Sequence, residues 1–198
     1  MSNYLAVDTA SRHLTVIVKN GDKIYKSFVP ECAMRHSVIL QGEIDKTLKN
    51  AGISPNECDF FAAVTGPGSF TGIRIGIAVV KGLAFATEKK LLGVTSLEAV
   101  AYNVKSAKFF AAVDAAHSHY YVSLCENGEV GEPEYLSEEE INSCGLPVYG
   151  FEDLKLNNYT RLGAEDLLPV AISKCEGRLS DELDAVYVRK SQAEEGRK

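Results

Sequence analysis

The first thirty residues alternate between short apolar runs and turn signals. Residues 4–8, YLAVD, form an apolar run ending on a carboxylate, while 13–19 (HLTVIVK) and 23–29 (KIYKSFV) are rich in β-branched and aromatic residues. Asn20-Gly21 lies between the last two, a pair that tight hairpin turns select because both residues accept positive φ. Three strands are predicted. The period then changes: Leu40, Ile44, Leu48 and Ala51 recur at i, i+4, i+8 and i+11, which predicts a helix over 36–51 with Gly52 as its C-terminal cap. Ser54-Pro55-Asn56-Glu57 reads as a capping box with Pro at the first position, hence a short helical turn. Residues 59–65 (DFFAAVT) predict a strand and Thr71–Glu88 a helix. Leu91–Val94 follows as a strand, then a helix from Ser96 with Glu98 in its first turn.

Residues 110–136 echo the beginning. Ala-Val-Asp occurs at 6–8 and at 112–114, and Asn-Gly follows at 20–21 and 127–128, so the spacing from each Asp to its Asn is 12 and 13 residues. The repeated triplet, hairpin spacing and strand order predict a duplicated unit. The chain divides near residue 104, into a 1–104 lobe and a smaller 105–198 lobe. In the second, Ser137-Glu138-Glu139-Glu140 reads as a solvated helix start whose acids complement the helix dipole. Residues 164–175 are the best further helix, and the charged tail from Ala193 is expected to fray. Strands alternating with helices imply an α/β fold of two related lobes, each a mixed sheet with helices on its faces.

The stretch 64–76, VTGPGSFTGIRIG, raises the sharpest question. Gly66, Pro67, Gly68 and Gly72 crowd the start of the long helix. Neither nucleotide-loop pattern fits: no Lys follows Gly72, and the third glycine comes one residue late for G-x-G-x-x-G. Backbone N–H groups at a helix start still favour an anion, so Asp8, Gly66, Gly68 and Ser69 form a weak phosphate or nucleotide candidate, with Ser69 or Thr71 as the cap. The alternative is close packing. Gly72/Gly76 and Ala78/Gly82/Ala86 form two ridges of small residues, roughly 120° apart around the axis. A glycine inside a helix costs about 1 kcal/mol relative to alanine, which close approach to a neighbour offsets. One ridge can sit on the sheet, leaving the other, flanked by Ile73, Ile77 and Val80, facing outward as an interface.

Composition narrows the choices. The chain has 198 residues, 45% of them apolar, enough for a real core. A formal net charge of −6 with scattered Lys and Arg argues against gripping a phosphate backbone unaided. Cys32, Cys58, Cys125, Cys144 and Cys175 are odd in number and form no C-x-x-C, which predicts free thiols and no zinc site. The N-terminus has no basic and apolar leader pattern, so a cytoplasmic chain without a membrane segment is expected. Asp8 and Asp114 end strands before turns. Each is either a catalytic carboxylate or a partner for its own turn's backbone. Ser37 lacks a nucleophile context, and His117-x-His119 lacks a third metal ligand.

LAVDTAS, MRHS, VTGPGSFTGIRIGIAVVKGLA and GVTSLEAVA together resemble the TsaB (YeaZ) family. The likeness runs over residues 4–102, is most specific at 64–101, and is looser at VDAAHSHYYV and AVYVRK, where Ala185 stands in place of the usual Pro. The resemblance implies an actin-like ATPase (sugar-kinase/chaperone, RNase H-like) fold. It also implies a role in making N6-threonylcarbamoyladenosine in tRNA, as the non-catalytic partner of the paralogue TsaD, joined by the ATPase TsaE. The paralogue's metal-binding histidines align on Ser96 and Val100. No cofactor of its own is implied, although ATP or ADP can sit at the complex interface, and tRNA would be met only through the complex. The implied docking surface, used for TsaD or for a homodimer, comprises Ser37, Leu40, Ile44, Gly72, Ile73, Gly76 and Val80. A bulky Gly76→Arg is then expected to abolish pairing and leave the fold intact. The competing reading is a stand-alone ATP-dependent phosphotransferase or metallopeptidase-like enzyme using Asp8 and Asp114.

Overall fold

The computed structural model describes residues 2–189; the tail from Ala193 lies outside them. The first part of the chain builds β1 (Tyr4–Asp8), β2 (Leu14–Asn20), β3 (Lys23–Val29), α1 (His36–Ala51), β4 (Phe60–Val64), α2 (Phe70–Thr87), β5 (Lys90–Val94) and α3 (Ser96–Ala101). The second part adds β6 (Lys108–Asp114), β7 (His119–Glu126), β8 (Glu129–Val130), β9 (Glu134–Ser137), α4 (Glu138–Ser143), β10 (Val148–Gly150), β11 (Tyr159–Arg161) and α5 (Leu167–Cys175).

The two sheets repeat one topology. The first runs β3-β2-β1-β4-β5; the second runs β8-β7-β6-β10-β11, with β9 also paired to β7. In each, an antiparallel hairpin continues into two parallel strands. Parallel neighbours need crossover segments, and here the copies diverge. The 16-residue α1 corresponds to the 6-residue α4, and α2 has no helical counterpart between β10 and β11. The hairpins differ too. In the first, the loop is Gly21-Asp22, one residue later than predicted, with Gly21 at φ 58°. In the second, Asn127 (φ 53°) and Gly128 (φ 88°) fill the predicted turn, the doubly left-handed type that matches strand twist.

Local chemistry sets the element ends. Gly52 closes α1 at φ 70°, its N–H reaching the Leu48 and Lys49 carbonyls. Thr95 and Glu98 cap α3 reciprocally, as Ser137 and Glu140 cap α4. β4, FFAAV, is buried throughout because helices cover one face of its sheet and the second lobe and α5 the other. One core cluster joins the lobes, from Leu5 and Phe61 through α3 to Phe109, Val113 and Ile172. A smaller one lies on the outer face of the second sheet around Phe110, Val122 and Ile141. Although α5 follows residue 104, it packs on β5 and α3. All five cysteines are free thiols, four of them buried. By length and composition α2 is apolar enough to cross a membrane, with a mean hydropathy of 1.4. Its inner face, however, covers β4 and β1.

Candidate functional site

The glycine-rich loop closes onto the turn after β1. Gly66 (φ 103°) and Gly68 (φ 156°) adopt backbone angles that L side chains rarely reach. A Cβ on Gly68 would lie 2.3 Å from the Ala10 carbonyl oxygen, one on Gly72 would lie 1.9 Å from that of Thr9, and one on Gly76 would lie 2.5 Å from Thr9 Oγ1. The contact is also hydrogen-bonded: the Ser69 N–H donates to Ala10 O (2.7 Å) and Thr9 Oγ1 donates to Gly72 O (2.7 Å). Ser69 caps α2, its Oγ accepting from the Gly72 N–H at 3.2 Å. Gly68, Gly72 and Gly76 therefore serve a close seam between the start of α2 and the end of β1, Gly66 makes room for Ile73 and the Val186 carbonyl, and the N–H groups of Ser69, Gly72 and Ile73 are bound within the chain.

This seam corrects the outward-facing ridge. Gly72, Ile73, Gly76 and Val80 are the buried side of α2, and Leu40 and Ile44 the buried side of α1; of the anticipated docking residues, Ser37 alone is exposed. Two ridges exist, but the one on the sheet is Gly72/Gly76, and Ala78/Gly82/Ala86 faces solvent. Gly76→Arg would consequently drive a side chain into Thr9 and Val7 and break the fold. The charged residues carried the missing signal: Arg74, Ala78 and Lys81 share one face at i, i+4 and i+7, so the Ala78 ridge had to be the wet one. The outward faces of the helix pair also carry Met34, just before α1, at 96% exposure, Val38 at 76% and Phe85 at 89%. Gly42 and Gly82 sit among them with no atom within 4 Å of a Cβ position.

The strand-end aspartates behave as twins. Asp8 Oδ1 accepts from the Ala10 N–H and Asp114 Oδ1 from the Ala116 N–H, both at 2.9 Å. Each carboxylate holds its own turn in place. Beside them stands Glu152, buried at 7% exposure, accepting from the Asp114 N–H at 2.8 Å. Sequence reasoning missed it, and only its place after β10, matching the loop after β4, marks it. Burial pushes Asp8 up to about 6, against the pull of the Ala10 N–H. Burial pushes Glu152 up to about 7. The Asp114 N–H and Arg12 hold it back, while the Asp114 and Asp8 charges add to the rise.

A carboxyl whose pKa is higher folded than unfolded contributes stability fully below its unfolded value, near 4.5 for Glu152. That contribution disappears as pH rises through about 7. Glu152→Gln keeps an acceptor for the Asp114 N–H and removes the buried charge. It is expected to raise Tm at pH 8 by about 4–8 °C, a gain that fades by pH 5. Thermal melts of both proteins across that range check it.

The histidines are tied to the backbone. His36, buried at the start of α1, contacts the His13 carbonyl oxygen through Nε2 at 3.1 Å, and His13 Nδ1 accepts from the Glu31 N–H at 3.3 Å. His119 Nδ1 contacts the His117 carbonyl oxygen at 2.8 Å, and its ring stacks on Tyr135. Among the described residues no three His, Cys, Asp or Glu side chains gather as a metal site would require. On α3, Ser96 Oγ is buried with no hydrogen-bond partner among the described residues, and Val100 is in the core. Glu98 beside them takes a bidentate pair from Arg178, at 2.6 and 3.0 Å. Burial of Glu98 opposes its ionisation, but the Arg178 and Thr95 hydrogen bonds outweigh it, and its pKa is lowered.

Comparison with known proteins agrees with this architecture. A family model described as TsaD, tRNA N6-adenosine threonylcarbamoyltransferase, matches residues 14–138. The tRNA threonylcarbamoyladenosine biosynthesis protein TsaB of Haemophilus influenzae is 31% identical over 170 residues, covering 80% of this chain and 70% of that protein. The Escherichia coli protein of the same description is 27% identical over 221 aligned positions, covering 96% and 95%. The solved structure of YeaZ from Pseudomonas aeruginosa superposes with a TM-score of 0.76 at 25% identity, covering 94% of this chain and all of that one. With its two mixed sheets and covering helices the molecule has an α/β, actin-like ATPase-type fold. The chain belongs to the TsaB (YeaZ) family of tRNA threonylcarbamoyladenosine biosynthesis proteins.

Proposed function

We propose that the chain is the non-catalytic scaffold subunit of the tRNA N6-threonylcarbamoyladenosine modification complex. It docks through the outward faces of α1 and α2 onto a TsaD-like paralogue that performs the transfer, and a TsaE-like ATPase joins the pair. The observation that carries this reading is the exposure of apolar and small residues on two adjacent helices, Val38 on α1 and Ala78, Gly82 and Phe85 on α2. Exposed large apolar side chains support an interaction surface, and small residues let a second helix pair approach closely. A non-catalytic role is supported by Ser96 and Val100, whose side chains cannot replace imidazole ligands, and by the commitment of Asp8 and Asp114 to their own turns. In this reading the same face forms a homodimer when the paralogue is absent, and ATP or ADP sits at the complex interface. The tRNA is met through the complex in the cytoplasm.

The test is reconstitution. Threonylcarbamoyl transfer to tRNA by the paralogue and ATPase is expected to need this chain, which transfers nothing alone. Full transfer without the chain, or transfer by the chain alone, would reject the assignment.

A further inference from the structure

The last described segment, Ser180–Arg189, forms no strand of its own yet touches four parts of the molecule in succession. Ser180 and Leu91 exchange backbone hydrogen bonds at 2.8 and 2.9 Å on the edge of β5. Leu183 is buried and fills the space that a side chain at Gly93 would need. The Val186 N–H then donates to Thr65 O at 2.8 Å, and the Val186 carbonyl oxygen lies 2.8 Å from the Cβ position of Gly66. Tyr187 stacks on Phe70 at the start of α2, with centroids 4.6 Å apart and planes 6° apart, and its OH accepts from Arg74 Nε at 2.9 Å. Arg189 finally crosses to the second sheet, donating to the Tyr135 hydroxyl at 2.7 Å with its guanidinium 4.6 Å from the centre of that ring.

Between the two lobes, behind this segment, lies a cavity of about 270 Å³. Its walls include Pro67, Thr95 and Glu98 from the first lobe, Ser123 and Glu132 from the second, and Val186 from the segment itself.

We propose that Ser180–Arg189 is a latch that fixes the β7–β9 edge of the second sheet against the glycine loop and so sets how far this cavity opens. The outer end of the latch is superficial, Tyr187 being 42% exposed. Arg189, its last described residue, meets Tyr135 through side-chain contacts, a cation over a ring and a hydrogen bond to a hydroxyl, that can part without unpacking the shared core. Contacts of that kind open locally, at lower free energy than global unfolding. The latch also grips Arg74 of α2, so the interlobe opening and the helix bearing the exposed ridge share one mechanical connection.

Hydrogen–deuterium exchange on the full chain tests this, comparing wild type with Arg189→Ala and Arg189→Lys. Arg189→Ala is expected to speed exchange of the Val186 amide and of the amides in β9 by about tenfold. Amides of β1 and β4 should keep their protection, and Arg189→Lys, which retains a cation over Tyr135, should recover part of the loss. Unchanged exchange at Val186 and β9 would overturn the latch. So would acceleration by the same factor in β1 and β4, because that would make Arg189 a general stabiliser of the fold.

Discussion

Gly82→Arg is expected to abolish binding to the TsaD-like paralogue while leaving the chain folded and slightly more stable. Gly82 lies on the exposed side of α2 with open space where a Cβ would go. Replacing an exposed helical glycine by arginine gains about 0.5–1 kcal/mol of helix propensity, worth about 1–4 °C in Tm for a chain of this size. At a helix-on-helix interface the same side chain inserts a long cation where a small residue allowed close approach. Losing central contacts of that kind typically costs about 3–4 kcal/mol, or roughly 100- to 1000-fold in affinity. Titration of the purified paralogue, paired with a thermal melt, reads both effects. Undiminished affinity with a raised Tm would remove α2 from the interface.

Gly72→Ala is expected to do the opposite. One methyl group at this position meets the Thr9 carbonyl oxygen at 1.9 Å, a backbone atom that cannot swing aside. Accommodating it means moving α2 off β1. The hydrogen bond from Thr9 Oγ1 to Gly72 O then suffers, along with the burial of Ile73 and Val80. Such overpacking costs about 3 kcal/mol or more, against about 1 kcal/mol returned by helix propensity. The net loss of about 2 kcal/mol should lower Tm by about 4–8 °C. Gly42→Ala, open to solvent on α1, should raise Tm instead. Two glycine-to-alanine changes of opposite sign in neighbouring helices would locate the seam directly.

How much of this was legible in the sequence depended on whether the signal was local. The stripe over 36–51 and Gly52 predicted α1 to the residue, because a four-turn amphipathic pattern and a left-handed cap are written in adjacent positions. The capping box at 54–57 was equally readable, and the start of α3 at Ser96 with Glu98 in its first turn was placed, though the Thr95 cap was not read. The duplication was visible in Ala-Val-Asp and Asn-Gly, and the sheets bear it out strand by strand. β10 and β11, three residues each, are too short to show a period. The pairing of Glu98 with Arg178 joins residues 80 apart, and the latch contacts join residues 113 apart at Arg74–Tyr187 and 54 apart at Tyr135–Arg189. Composition said that α2 had two faces of small residues. Only Arg74 and Lys81, on the side of α2 away from the sheet, decided which face was wet.

The unequal copies also bear on stoichiometry. Because nothing helical stands between β10 and β11, the two-helix face built by α1 and α2 occurs once among the described residues. A subunit with a single adhesive side can engage one neighbour through it and then has no second such side to offer. If the chain docks through that side as proposed, the assemblies it forms close as pairs, whereas two equivalent sides would have allowed head-to-tail growth into a polymer.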